Sequence, residues 1–383
     1  MPDLRTYALG EGIVLVGASP DSLVILNSSA GMIWNRLAEG HQAAAVAAGL
    51  ASHFNIPLER AAKDVEQVFR LWNSNETSAF AHYAQRPQIP WTDGDSAADL
   101  EHDRQPVSCR VYRLSDIPFC IRFHSAETEE MLQFALGHME VPPAVAPRHD
   151  FEVLIEGASY VLRKDGIEAG RENAPHSIRH RLLYEIARIS YPDLEWLIFM
   201  HGGAVGDEEC CAVLPGTTGC GKSTLTAALM QSGFRYVAED IVALSRNSLR
   251  VAPVPTRLCL RAGGWSALCA EFPGLYSPLV TRRWGREVRY LTPPPDGAAA
   301  THGLPVHCVI FPEFVQGEAT QPVRISAEET LARLIQTGAW FTDSLDETLI
   351  GELIRWIHAT PGYQLKYGRL SEAVSSIREL LRQ

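Results

Sequence analysis

No Cys-x-x-Cys pair occurs among the eight cysteines of the 383-residue chain, at positions 109, 120, 210, 211, 220, 259, 269 and 308. That absence suggests neither a zinc site nor a disulfide framework. Several of these cysteines lie inside apolar, strand-like runs, so all eight are expected as reduced core residues in a reducing compartment. Long apolar runs are also missing, and Met1-Pro2-Asp3-Leu4-Arg5 shows no basic-then-apolar signal. The expected address is therefore the cytoplasm, with no membrane partner. Basic charge is in short supply: 34 Lys and Arg face 45 Asp and Glu, a formal charge of −11. A protein that tracks phosphate backbones needs the opposite excess, so no nucleic-acid partner is expected. Arg282, Arg283, Arg286 and Arg289 form one local basic cluster, readable as a loop or helix facing an anion or as a solvated surface run. Heptads, tandem repeats and low-complexity tracts are absent. With 46% hydrophobic and 21% charged residues the chain is globular rather than disordered, and its length suits two or three domains.

What is present centres on Gly216-Thr217-Thr218-Gly219-Cys220-Gly221-Lys222-Ser223, followed by Thr224. The stretch fits G-x-x-x-x-G-K-[ST], between an apolar run from Cys210 to Leu214 and a helical pattern from Ser223 to Met230. Strand, glycine loop and helix in that order make a phosphate-binding loop. Glycines let successive backbone N–H groups point inward at a phosphate, where the positive end of the helix dipole adds attraction. Lys222 would reach the β- and γ-phosphates of ATP, and Ser223 would place its hydroxyl on Mg²⁺. Two adjoining carboxylates, Glu239 and Asp240, follow Lys222 by seventeen and eighteen positions. One helix, a turn and a short strand fill that interval, so the pair can return beside the loop. A carboxylate pair suits transfer of a phosphoryl group to a hydroxyl, one member taking the proton and the other helping to hold the metal.

Ahead of this core lies a small pattern of its own. Strand-like runs at Gly12–Gly17 and Leu23–Asn27 flank the turn signal Ala18-Ser19-Pro20-Asp21, which predicts a hairpin. Ser28 or Ser29 is expected to cap a helix through Leu37, a second helix covers Gln42–Phe54, and a third carries Val65, Val68, Phe69 and Trp72 on one face. The polar, proline-bearing stretch from Asn73 to about Pro106 reads as a linker. Strand-like runs at Cys109–Leu114, Ile117–Phe123, Phe151–Ile155 and Tyr160–Lys164, with a helix at Glu127–Leu136, predict a small sheet. His176 or Ser177 then caps a helix whose apolar side carries Ile178, Leu182, Ile186 and Ile189, read as packing alone. Trp284–Asp296 shows no regular pattern and reads as a disordered stretch or a lid, and Gly263-Gly264-Trp265 as a loop on the acceptor side. Strand, helix, helix, strand and helix are expected in turn at Val306–Phe311, Glu328–Thr337, Leu345–Ile357, Tyr363–Tyr367 and Ser371–Leu381.

Two resemblances are carried by these residues. The hairpin, Ser28-Ser29-Ala30 with Trp34, Gly40, His53-Phe54 with Ile56-Pro57, and Asp64-Val65 resemble the PqqD-type peptide-recognition domain. Such a domain binds the leader of a ribosomally made precursor peptide as an added strand beside a helix. The other reading is a winged-helix-like module used only for packing or dimerisation. His201-Gly202-Gly203, the phosphate loop, and Gly233 to Asp240 resemble the catalytic domain of HPr kinase/phosphorylase and its relatives, over roughly Cys109 to Gln383. The resemblance implies Glu239 as the base, where the family usually has aspartate, Asp240 on the metal side, and His201 against phosphate or the carboxylates. It also implies a role for Arg261 in stabilising transferred charge, with Cys259 where a glutamate is expected, and self-association into an oligomer.

The fold class expected is α/β: a P-loop HPr kinase-like catalytic domain after a small winged-helix-like α+β domain. Its parts are residues 1–75 for peptide recognition, a linker at 76–106, and a kinase domain at 107–383, itself a strand-rich 107–175 and a nucleotide core 176–383. The expected activity is ATP- and Mg²⁺-dependent phosphorylation of a serine, less readily a threonine, on a precursor peptide, with lasso-peptide precursors the first candidates by analogy. The alternatives are a kinase for a small metabolite or an HPr-like protein, and a peptide adaptor that binds ATP without turnover.

Overall fold

The computed structural model describes residues 4–18, 21–73, 83–84, 105–217, 219–272, 279–283, 286–294, 303–341 and 344–383. The chain divides into two compact units, one of residues 1–88 with 323–363, the other of residues 89–322 with 364–383.

In the first unit Leu4–Leu9, Gly12–Ala18 and Asp21–Leu26 form an antiparallel meander, with Leu15 opposite Val24. Ile13, Leu15, Val24 and Leu26 alternate onto one face, as strand geometry requires. There they meet Ile33, Trp34 and Leu37 of the helix Ser28–Ala38, Val46 and Leu50 of Ala43–Phe54, and Val65 and Val68 of Leu58–Asn73. Burying each of these larger side chains is worth roughly 1.5–3 kcal/mol, which seats the three helices on the sheet. The first helix is capped by Asn27, whose side chain accepts from the Ala30 N–H at 3.0 Å, and not by Ser28 or Ser29, which lie inside it. An asparagine side chain reaches the third N–H as well as a serine does.

Val14, Val16, Leu23 and Ile25 on the opposite face are buried too. The helix Ala327–Gln336 lies against the strands Gly12–Ala18 and Asp21–Leu26, and Arg5 donates to the carbonyl of Leu345. The hairpin sheet is thus a middle layer. Its outer strand Asp21–Leu26 also pairs, through Ser22 and Leu23, with Ala84 and Tyr83 of the stretch read as a linker. The rest of that linker lies largely outside the described residues.

The second unit begins with a five-stranded sheet in chain order: Ser108–Leu114, Ile117–Phe123, His149–Glu156, Ser159–Lys164 and Ile167–Glu172. Only Ile117–Phe123 and His149–Glu156 run parallel, and the helix Ala126–Leu136 lies between them in sequence. Cys109 and Cys120, on neighbouring strands with Cα atoms 6.7 Å apart, are joined in a disulfide. This corrects the expectation of eight reduced cysteines. The pairing arises from strand register, which a count of spacings does not contain. The next helix, Pro175–Ser190, starts from Ala174 with proline in its first turn, so His176 and Ser177 are inside the helix rather than caps.

Seven strands of the following sheet run in the spatial order Trp196–Met200, Val242–Ser245, Arg250–Ala252, Leu304–Phe314, Cys211–Pro215, Gly202–Gly206 and Arg235–Ala238. Cys211–Pro215 is parallel to Leu304–Phe314 and antiparallel to Gly202–Gly206. Two expectations fail nearby. Arg286–Leu291 is a strand between Leu258–Arg261 and Leu279–Arg283, with Val288 and Tyr290 buried and Arg289 bonded to Glu287. Gly263-Gly264-Trp265 belongs to the helix Ala262–Glu271, and the Arg289 guanidinium lies 5.0 Å from the Trp265 ring centre. That stacking draws Arg289 out of a simple basic run. Among the described residues no helix is long and apolar enough to cross a membrane.

His138 provides a pH test of this unit. Its Nε2 donates to the Pro255 carbonyl at 2.6 Å, and burial, with the Arg257 charge adding to it, pulls the imidazole down to about 4 despite that bond. The unfolded chain protonates this ring near pH 6.5 while the folded chain does not, so stability falls as pH drops from 6.5 towards 4. The full difference is about 3 kcal/mol. In His138→Gln, which keeps a donor but cannot titrate, denaturant unfolding measured at pH 7 and 4.5 should show a shallower acid loss. Equal losses in both proteins would remove His138 from the acid limb.

Candidate active site

The phosphate-loop stretch leaves the strand Cys211–Pro215 and enters the helix Lys222–Gln231 through Gly221, whose φ is +96°. That left-handed value and the closeness of the Tyr367 hydroxyl, 2.5 Å from where a Cβ would stand, leave room only for glycine. Thr217 and Gly219 face solvent, whereas Lys222 is 7% exposed. Tyr367 donates to the Gly221 carbonyl at 3.4 Å, and Thr226 to the Lys222 carbonyl at 2.9 Å. The first N–H groups of the helix are therefore held at the loop mouth. Thr218 lies outside the described residues.

The strand Gly202–Gly206 separates the loop strand from Arg235–Ala238, and the bare Gly203 on it lets Glu239 in. A Cβ at Gly203 would stand 2.7 Å from a Glu239 carboxylate oxygen and 2.7 Å from the Thr226 hydroxyl. With glycine there, Glu239 reaches across to the helix and accepts from Ser223 Oγ at 2.5 Å. Burial raises the Glu239 carboxyl above the ordinary range, against the pull of Lys222, the Ser223 bond and Arg179. Thr256 fixes the turn by donating to the Glu239 carbonyl at 3.1 Å.

Asp240 takes φ +66°, an uncommon value for a residue with a side chain. Its side chain turns from Ser223 towards another group. Arg179, buried on the helix Pro175–Ser190, makes an ion pair with the Asp240 carboxylate. His201, at the end of Trp196–Met200, donates from Nδ1 to the Asp240 backbone carbonyl at 3.0 Å. The His180 and His201 rings lie 5.0 Å apart. The structure thus gathers Lys222, Ser223, Glu239, Asp240 and His201, and adds Arg179 and His180, which the sequence reading passed over. In sequence they sit among His176, Arg181, Glu185 and Arg188 on the polar side of an amphipathic helix, and nothing marks them out.

Arg261 ends the strand Leu258–Arg261 and is exposed; Cys259, on the same strand, is half-buried opposite Tyr290. Both that strand and the helix after it pack against Lys222–Gln231. No bond links Arg261 to the carboxylates among the described residues.

Residues 12–76 match the family model for coenzyme PQQ synthesis protein D (PqqD). They span the hairpin and the three helices that follow it, Ser28–Ala38, Ala43–Phe54 and Leu58–Asn73. No curated protein matches this chain. Among solved structures, the HPr(Ser) kinase/phosphatase from Coxiella burnetii aligns with 48% of this chain and 93% of its own, at 13% identity and a TM-score of 0.24. A likeness of that size carries no argument about this chain.

The residues themselves suit a nucleoside triphosphate with Mg²⁺. A bare glycine loop opens on a helix N-terminus, a buried ammonium stands at its first residue, and a hydroxyl meets a carboxylate beside it. Those oxygen donors are the kind Mg²⁺ prefers, with the remaining positions left to phosphate and water.

Proposed function

We propose that this chain is a Mg²⁺-ATP-dependent kinase that phosphorylates a serine, less readily a threonine, on a ribosomally made precursor peptide. The observation that carries the reading is the meeting of Ser223 with Glu239 beside Lys222 at the mouth of the glycine loop. The match of residues 12–76 to PqqD supports a peptide as the partner. A leader would add as a strand along Asp21–Leu26, where Tyr83 and Ala84 already pair two residues.

We infer roles from placement. Lys222 holds the transferring phosphoryl group, and the loop N–H groups orient the phosphates. When bound, Mg²⁺ supplies neutralisation of phosphate charge. Ser223 and Glu239 would hold that ion, because their oxygens already meet. Asp240 would face the acceptor and take its proton, with Arg179 holding the carboxylate in place and His201 fixing the turn it sits on. This exchanges the two carboxylate roles implied by the family resemblance. Thr224, in the first turn of the helix Lys222–Gln231, and Arg261, on a strand packed against that helix, are candidates for nucleotide and acceptor contacts.

The deciding experiment incubates candidate precursor peptides, lasso-class precursors first, with the full-length protein, ATP and Mg²⁺. Mass spectrometry should find one phosphate on one serine. ATP bound and turned over with no peptide modified would favour a metabolite or HPr-like acceptor, and ATP bound without turnover would favour an adaptor.

A further inference from the structure

Beside the oxygen-donor pair at Ser223 stands a second, chemically different set. His180, His201 and Asp240 each offer a ligand atom, all within 4.8 Å of one another. They come from three separate elements: the helix Pro175–Ser190, the end of Trp196–Met200 and the turn after Arg235–Ala238. Chain proximity did not bring them together.

The chemistry of each fits a cation. A carbonyl only accepts, so the 3.0 Å bond from His201 Nδ1 to the Asp240 carbonyl fixes that nitrogen as N–H and makes Nε2 the lone-pair nitrogen. Metal-ligating histidines are oriented by such a bond from their other ring nitrogen to a carbonyl or carboxylate. Asp240, held at φ +66°, directs its carboxylate to the same place, where it also pairs with Arg179. Two imidazole rings 5.0 Å apart and inclined by 47° are poorly placed to share two positive charges but well placed to share one metal. Two imidazoles and a carboxylate suit Zn²⁺ or Co²⁺ rather than Mg²⁺, and leave a coordination position open.

We propose that His180, His201 and Asp240 bind one borderline divalent cation, of the Zn²⁺ or Co²⁺ class, separate from the ion held at Ser223. Bond lengths of about 2.0–2.1 Å put ligand atoms about 3.4 Å apart in a tetrahedral site. Small side-chain rotations close the cluster from its present spacing to that one. Bound there, the cation lies at the acceptor side of the carboxylate pair, its open position available to a hydroxyl. The site uses no nucleotide, so Co²⁺ binding is tested apart from the kinase reading, but it shares Asp240 with the base assigned there, and the carboxylate cannot hold the cation and take the acceptor's proton in the same state.

Co²⁺ is the probe. Full-length protein stripped with a chelator is titrated without nucleotide, following the visible d–d bands. One equivalent should bind with the intensity of a four-coordinate site, and His180→Gln should weaken it at least tenfold. Ser223→Ala should bind as the parent does. No saturable binding, or a His180→Gln isotherm equal to the parent's, would overturn the proposal, as would loss in Ser223→Ala alone. X-ray absorption of the cobalt-loaded parent needs no variant: imidazole scattering is expected, and oxygen-only coordination would also overturn it.

Discussion

Replacing Lys222 with alanine is expected to lower phosphoryl transfer about a thousandfold while leaving the far-ultraviolet circular dichroism unchanged. The ammonium is nearly buried at the first residue of a helix, beside a carboxylate and under a loop of N–H donors. A charge aimed at developing phosphoryl charge in such a place acts with little solvent screening. Losing even one neutral donor from a site of that kind costs about 2.7–4 kcal/mol in the barrier, or 10²–10³ in rate. A full charge sits at the upper end of that range. The measurement is phosphate gained by the accepting peptide, with ATP turnover as a second readout. Activity within tenfold of the parent would take the glycine loop out of the chemistry and leave the adaptor reading in its place.

The loop itself was legible because its chemistry is local. Glycines, lysine and serine stand at fixed spacing within one short stretch, and neighbours in sequence supply the strand and helix around it. The carboxylates were legible for a similar reason, since one helix and one strand suffice to return them. Arg179 and His180 were not, because their partner Asp240 lies four strands and a helix further on. In sequence they look like the polar face of an ordinary amphipathic helix. The strand Arg286–Leu291 was missed because four arginines drew the reading towards charge, although Val288 and Tyr290 alternate with Glu287 and Arg289 as a half-buried strand does.

The hairpin offers a different lesson. Ile13, Val14, Leu15 and Val16 form an unbroken apolar run, which marks a strand covered on both faces. The three following helices account for only one face. The other is closed by the helix Ala327–Gln336, about three hundred residues away in the chain. Periodicity records that a second cover exists but carries no information on which segment supplies it.

Glu239→Gln and Asp240→Asn separate the two carboxylates, to which the family resemblance and the function proposed above give opposite roles. Glu239 meets Ser223, and burial already holds its proton more firmly than a free glutamate would. A cation binding there competes with protonation of the carboxylate, so its affinity should fall as pH is lowered. Removing the charge should raise the Mg²⁺ concentration needed for half-maximal transfer at least tenfold, with partial recovery at high Mg²⁺. Asp240→Asn keeps the shape of the turn but removes the proton acceptor. Loss of a positioned base costs about 10²–10⁴ in rate, and excess Mg²⁺ should restore none of it. Nucleotide affinity should hold in Asp240→Asn, measured by calorimetry with Mg²⁺ present. The buried Arg179 guanidinium loses its ion-pair partner in that variant, so its thermal midpoint should drop, and the kinetic comparison belongs well below it. Rescue of Asp240→Asn by Mg²⁺, with Glu239→Gln beyond rescue, would return the base to Glu239 and the metal to Asp240.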